Sequence, residues 1–320
     1  LKALIIKQLN ARPEYADLPE PRPNNSEIVV SLRAAALNRR DLFITQGLYA
    51  GIRVPCVLGS DGAGAWKGKP VVIYPALAWG SNPRVQGRDF RVLGMPEDGT
   101  FAEYICVPSK NVFPMPPHLD WEQAAALPLA GLTAWRTLFT RCQLSKGERV
   151  LITGIGGGVA LMALQLAVAA GAEVFVTSGS AEKIERAQKM GALDGVSYRA
   201  PGWEKQLKQI AGGFDVIIDS AGGDGFALLP SLCNPGARIG FYGGSLGKVN
   251  GLSLQPLFWK QVSLHGSTMG SPKEFRTMLA FVEKHQIVPV VDMVFPLSEG
   301  AEAFKIMEQG TQFGKLVLKI

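Results

Sequence analysis

The chain has 320 residues, 47% hydrophobic and 19% charged, which is ordinary for a soluble, enzyme-sized protein with room for two domains and a sizeable core. Its net charge of +6 comes from scattered Lys and Arg rather than runs, so it favours solubility and small anionic ligands over a nucleic-acid stripe. Four cysteines (Cys56, Cys106, Cys142, Cys233) stand far apart among only three histidines, which excludes zinc-finger spacing and points to reduced thiols in a cytoplasmic protein.

The opening LKALII is too short for a signal-peptide core and reads as a first strand. Short apolar runs at residues 3–6, 27–32, 71–74 and 102–107, separated by Pro and Gly turns, predict a β-rich lobe. Residues 78–96 are polar and irregular and are expected to form a surface loop, with Trp79 and Phe90 packing as a lid. From Trp121 the composition is helical, with Asp120 as N-cap and a break at Pro128.

Residues 149–177, RVLITGIGGGVALMALQLAVAAGAEVFVT, read as strand, glycine turn, helix and second strand. Gly154, Gly156, Gly157 and Gly158 let the backbone turn sharply, and the unpaired amides at the following helix's N-terminus suit a diphosphate. A strict GxGxxG fails at Val159, so the weight falls on the strand–turn–helix context. No charge occurs between Arg149 and Glu173, but the glycines there argue against a membrane span. Helices are then predicted over 181–190, 203–210, 225–233 and 272–284. Strands are predicted over 195–198, 214–219, 237–242 and 262–265. This alternation predicts an α/β fold with a Rossmann-type, doubly wound parallel sheet. Strand character in VVDMVF and KLVLKI returns the chain to the first lobe, so residues 1–120 completed by 270–320 form one domain and 121–269 the other.

The motifs NRRDLFITQGLY, VLGSDGAG, DGTFAEYICVP, LPLAGLTAW, the glycine stretch and GKLVL, in this order, resemble the medium-chain dehydrogenase/reductase superfamily and its zinc-independent quinone oxidoreductase-like branch. The resemblance spans nearly the whole chain and implies a GroES-like catalytic domain beside the nucleotide-binding one. In that family the glycine signature AxxGGVG is met by Gly154, Gly157, Gly158 and Val159, with Ala160 last. Zinc-dependent relatives carry a Cys at the position of Asn38 and a His-Glu pair at Ser60 and Asp61, and they add a four-cysteine loop before Asp98. With these ligands missing, no metal is expected. The family also has a strand and turn between Gly64 and Lys67 that this chain lacks; a shortened loop and an absent segment both account for it.

No acid stands at the end of the second strand, where Thr177, Ser178, Gly179 and Ser180 lie. Ser178, Ser180 and Lys183 are suited to a 2′-phosphate, so NADPH is the expected cofactor. The resemblance adds Tyr198 as a phosphate contact, and places the nicotinamide against Gly243, Gly244, Ser245, Thr268 and Met269, with Thr133 and Ser220 as further candidates. Arg39 stands where relatives set a basic residue against the pyrophosphate, and Lys315 is a second cation for the same work. Without zinc to stabilise an alkoxide, a conjugated acceptor is the expected substrate: a quinone or an α,β-unsaturated carbonyl, whose own carbonyl spreads the charge. Tyr49 is the candidate for hydrogen bonding or proton delivery and Asn38 for polarising the acceptor or orienting the ring. Asp41 is expected to fix its loop and Asp61 to cap a turn. A zinc-free aldehyde or ketone reductase, and a nucleotide-binding protein without turnover, remain as alternatives. The resemblance also implies a homodimer formed through the strand around residues 263–266. No nucleic-acid or membrane partner is expected.

Overall fold

The computed structural model describes residues 1–320, and the chain divides into two compact units, 1–132 with 270–320 and 133–269. In the first unit, strands Glu14–Asp17, Lys2–Ile6 and Cys56–Val57 form a small antiparallel sheet. A larger sheet runs in the order Val112–Pro114, Lys69–Ile73, Asp61–Trp66, Glu27–Ala36, Lys315–Lys319, Val291–Pro296. The ten-residue strand Glu27–Ala36 organises this sheet. Its first half pairs with Tyr104–Pro108 and its second half lies between Asp61–Trp66 and Lys315–Lys319. Ala36 is opposite both Asp61 and Val317, so the chain leaves this strand towards Asn38 with Asp61 on one side and the C-terminal strand on the other.

The hairpin between Asp61–Trp66 and Lys69–Ile73 closes through Lys67 and Gly68, both at positive φ, as a two-residue hairpin turn of the primed type requires. The missing family segment thus leaves no gap in the ladder: Trp66 pairs directly with Lys69. Leu4, Ile6, Leu37, Ile44, Leu58, Phe101, Phe304 and Leu316 fill the main core of this unit. A second cluster of rings, Tyr74, Phe113 and Phe275, joins the helix Pro272–Lys284 to the sheet, and the Tyr74 hydroxyl donates to the Gly270 carbonyl at 2.7 Å.

Three expectations need correction. Residues 121–132 belong to the first unit rather than the second, because the helix Trp121–Ala126 packs on the strands Glu27–Ala36, Asp61–Trp66 and Lys315–Lys319. Segment 78–96 lies at the surface over residues 80–91, as expected, but is anchored at both ends. Trp79 is only 3% exposed, Leu93 and Met95 are buried, and Ala76–Leu77 pairs with Arg91–Val92, because apolar side chains placed at wide intervals give no periodic signal. Trp79 does meet Phe90 edge-on, with ring centroids 5.6 Å apart. The helix expected over 225–233 is two short turns, Gly223–Phe226 and Leu229–Leu232, with Pro230 inside the second. Cys233 already begins the strand Cys233–Phe241.

The second unit holds a six-stranded parallel sheet in the order Asp194–Ser197, Glu173–Ser178, Arg149–Ile152, Phe214–Asp219, Cys233–Phe241, Ser263–Gly266. The order reverses beside Arg149–Ile152, which puts the topological switch point, and any nucleotide crevice, at the carboxyl ends of Arg149–Ile152 and Phe214–Asp219. Near-continuous apolar strands fit this sheet because its faces are covered: Leu151, Phe175, Phe214, Ile217 and Ile239 pack with Leu207 and Leu229. Ser263–Gly266 is an outer strand. Close to it in sequence, Leu254, Phe258 and Trp259 of the helix Leu254–Trp259 are exposed, Trp259 by 80%. No helix of the chain is long and apolar enough to cross a membrane.

Candidate active site

In the first unit the antiparallel register gathers a buried polar cluster. Lys315 donates to Asn38 Oδ1 at 2.6 Å and to Asp61 Oδ2 at 3.1 Å, and Asn38 Nδ2 donates to the same Asp61 oxygen at 2.9 Å. The other Asp61 oxygen accepts from the Leu129 amide at 2.8 Å. All three side chains are buried, so the ion pair is screened little by water. Two expectations change here. Asp61 is the buried counter-ion of Lys315 rather than a turn cap, and the Lys315 ammonium is committed to this cluster rather than presented to a pyrophosphate.

Asn38 precedes the short helix Arg39–Thr45, and its backbone amide donates to Asp41 Oδ2 at 2.8 Å. Arg39 turns outward: its guanidinium donates to the Met307 carbonyl at 3.1 Å and lies over the Phe43 ring, so it is not held towards a phosphate. Arg40, which the sequence did not single out, turns inward instead. Its Nη1 donates to Ser60 Oγ at 2.6 Å and to the Leu93 carbonyl at 2.7 Å, and its guanidinium lies over the Tyr49 ring. The adjacent basic pair in NRRD was the available signal, since consecutive residues on a helix face different ways.

Burial pushes the Asp41 carboxyl up to about 6, against the pull of Arg40, the Asn38 amide and Lys315, while Asp61 adds to the rise. The folded protein therefore keeps this proton to higher pH than the unfolded chain, whose carboxyl titrates near 3.8. Stability contributed by Asp41 is complete below the unfolded value and is lost as pH rises to about 6, by on the order of 3 kcal/mol. Urea unfolding of wild type and Asp41→Asn at about pH 4 and about pH 7 checks this. The difference between them should move against the wild type by that amount, and a difference independent of pH refutes the assignment.

In the second unit the glycine turn leads from Arg149–Ile152 into the helix Gly158–Ala169, which carries Val159 in its first turn. Its N-cap, Gly157, offers no side chain, so the first-turn amides keep their donors. A Cβ built at Gly154 or Gly157 would meet nothing within 4 Å, so open space stands before these amides, and a diphosphate fits there. Gly156, at φ +127, passes beneath the Lys183 stem, where a Cβ would lie 2.9 Å from Cδ. The turn is held from behind. Gly154 N donates to Thr177 Oγ1 at 3.2 Å, and Thr153 Oγ1 donates to Asp219 Oδ2 at 2.6 Å.

The carboxyl end of Glu173–Ser178 brings together most of the expected phosphate group. Ser180 caps the helix Ala181–Lys189, accepting from the Lys183 amide at 3.4 Å and keeping its own proton. Ser178 differs from expectation: it is buried and its hydroxyl donates to the Ile155 carbonyl at 3.4 Å while accepting from the Ser180 amide, so it shapes the turn. Tyr198 is exposed beside Gly179, where a Cβ would come within 2.9 Å of its hydroxyl and 2.8 Å of Arg199 Nε. Arg199 is thus a cation at this corner that sequence reasoning missed. Its only signal was adjacency to Tyr198.

At the next strand end Asp219 is buried and accepts from the Ala221 and Gly222 amides at 3.0 and 2.8 Å, fixing the turn that carries Ser220. The loop holding Gly243, Gly244 and Ser245 closes on that turn: a Cβ at Gly243 would lie 2.6 Å from the Ser220 carbonyl, and Leu246 N donates to the Ala221 carbonyl at 2.8 Å. Burial raises the Tyr242 phenol above the ordinary range, with the Ser220 side chain pulling the other way. Thr268 is exposed after the last strand, and Met269 is buried at φ 47. Thr133 is buried, with its carbonyl accepting from the Thr137 hydroxyl at 2.7 Å.

A six-stranded parallel sheet with an open glycine cradle, carried by one chain with a β-rich lobe, has the form of a two-domain dinucleotide-binding protein. The family model for the alcohol dehydrogenase GroES-like domain matches residues 24–117, and that for the zinc-binding dehydrogenase matches 158–284. The chain is 35% identical to the zinc-type alcohol dehydrogenase-like protein YogA of Leptosphaeria maculans, covering 94% of this chain and 92% of the relative. Among solved structures it resembles an NAD-dependent alcohol dehydrogenase, with TM-score 0.95 and 35% identity over 100% of both chains. It also resembles the quinone oxidoreductase of Thermus thermophilus, solved with NADPH, with TM-score 0.85 and 25% identity over 100% of both chains. The protein belongs to the medium-chain dehydrogenase/reductase superfamily, in its quinone oxidoreductase-like branch, and is an oxidoreductase of that family.

The zinc in one of those family descriptions does not suit this site. Asn38 and Ser60 offer neutral oxygen donors, the Lys315 ammonium bonds to both Asn38 and Asp61, and no three His, Cys, Asp or Glu side chains converge to hold a metal.

Proposed function

We propose that this protein reduces a quinone or an α,β-unsaturated carbonyl with NADPH and without a metal. The observation that carries the reading is the Lys315–Asn38–Asp61 cluster, a self-satisfied ion pair that includes Asn38, where the resemblance places a metal ligand in zinc-dependent relatives. An acceptor whose own conjugation spreads negative charge suits such a site better than an alcohol, which needs a Lewis acid. The nicotinamide, when bound, supplies a hydride. The second unit's part is to hold the diphosphate on the amides after Gly157 and to fix the ring with backbone groups of Gly243, Gly244, Ser245, Thr268 and Met269. In the first unit, Tyr49 is the candidate proton donor, and Asn38 orients Lys315 and Asp61.

NADPH rather than NADH is supported by the corner formed by Ser180, Lys183, Tyr198 and Arg199, which has cations and no carboxylate to hold a ribose diol. The structural neighbour named as NAD-dependent argues for the other coenzyme, and kinetics decide between them. Replacing both Lys183 and Arg199 with alanine should raise the KM for NADPH about tenfold or more and leave that for NADH unchanged. Wild-type protein that oxidises NADH as efficiently as NADPH would sink the assignment. The alcohol dehydrogenase-like relatives favour a second reading, reduction of simple aldehydes or ketones. Assaying both coenzymes against quinones, enones and aldehydes separates the two: activity confined to aldehydes selects the second.

A further inference from the structure

We propose that Arg40 is a catalytic residue: its guanidinium binds the acceptor's carbonyl oxygen and stabilises the negative charge that develops there. This rests on the reading above that the acceptor is a carbonyl compound. The Arg40 side chain is only 9% exposed. Its Nη1 is spent on Ser60 Oγ and the Leu93 carbonyl, but Nε and Nη2 are buried with no hydrogen-bond partner. A guanidinium does not lose its proton in a protein, so burial cannot neutralise it, and buried donors left unmatched mark a place where an acceptor atom belongs. The nearest carboxylate, Asp41 Oδ1, lies 3.7 Å from Nη1 and is itself without a hydrogen-bond partner. Lys315, the other cation of the cluster, is in contact with Asp61 and Asn38. Arg40 is therefore the cation with directed donors to spare.

The anchor to Ser60 and Leu93 holds the fork in place before substrate arrives, which is what makes electrostatic stabilisation effective. Tyr49 supplies the cover. Its ring centroid lies 5.1 Å from the guanidinium carbon, it is 38% exposed, and it follows the left-handed Gly47 in the turn after the helix. With Tyr49 over the guanidinium, an acceptor that approaches in the guanidinium plane would bring its oxygen to Nε and Nη2. A bound reduced nicotinamide would supply hydride to the acceptor's β-carbon, forming a C–H bond there. The π pair then moves to the carbonyl oxygen as an enolate, and a proton added at the α-carbon completes the saturated product. Arg40 acts on the oxygen of that enolate.

The test uses the full chain with NADP+ and 4-nitrophenol, whose phenolate mimics the enolate oxygen and whose visible absorbance reports ionisation. Bound to wild type, the probe should ionise about one unit or more below its pH midpoint in solution, because a fixed cation favours the phenolate. In Arg40→Met the midpoint should return to the solution value, and Arg40→Lys, which keeps the charge without the fork, should fall between and serves if the Met variant does not fold. In the same variants kcat for an enone should fall about 100-fold with nucleotide Kd unchanged, and guanidinium added to Arg40→Ala should restore part of the rate while ammonium does not. A probe midpoint unaffected by Arg40, or no binding of the probe by wild type, overturns the proposal whatever the turnover. Wild-type protein that ionises the probe through Arg40 yet reduces no acceptor overturns the carbonyl-reductase reading and leaves the oxyanion site standing.

Discussion

Asp61→Ala should lower the unfolding free energy by about 3–5 kcal/mol, the cost of leaving a buried charge without its partner. Asp61 has no exposed surface and accepts from Lys315, Asn38 and the Leu129 amide, so its loss strands an ammonium and two amide donors in an apolar core. The Lys315 ammonium would keep only the Asn38 oxygen at 2.6 Å, a neutral acceptor. Urea unfolding of the single variants and of Asp61→Ala with Lys315→Met measures the effect. The double variant should recover much of the loss, since removing both charges also removes the desolvation cost. A single variant as stable as wild type would mean that Lys315 finds water or another anion, and the cluster would lose its structural role.

Gly157→Asp should weaken nucleotide binding by about 100-fold or more while leaving the fold intact. The backbone at Gly157 has φ −78 and ψ 153, open to any residue, and a Cβ there meets nothing within 4 Å. The new carboxylate would sit at the positive end of the helix Gly158–Ala169 and take the amides that otherwise hold the diphosphate. Charge repulsion adds to this competition. Coenzyme titration by fluorescence reads the affinity and thermal unfolding reads the fold. Unchanged affinity would show that the diphosphate lies elsewhere, and a lower Tm without loss of affinity would make the turn structural only.

The cradle was legible because its information is local. Strand, glycine turn and helix follow one another in residues 149–177, and the uncapped amides are a property of that one crossover. The absence of an acid after Thr177 was equally readable. Arg199 was not, because it approaches Gly179 only when Asp194–Ser197 pairs in parallel with Glu173–Ser178. Trp79 and Leu93 were read as parts of a surface loop since their burial arises from distant strands, not from any period in their own segment.

The first unit shows the same division more sharply. The family resemblance, read from the sequence, implied that two metal ligands are replaced, and residue identity at Asn38 and Ser60 decides which atoms are on offer. The sequence alone determined the class of fold through the succession of strands, turns and helices, and the nucleotide end through its glycines. Only the tertiary structure decided what the replacements do. Lys315 is 277 residues from Asn38, and the two meet because Lys315–Lys319 adds to the edge of Glu27–Ala36 in one register. Whether Arg39 or Arg40 faces inward depends on the helix's rotation within its unit, which neighbouring positions in a sequence do not encode. Packing thus turned one arginine out to Met307 and left the other buried with donors unpaired.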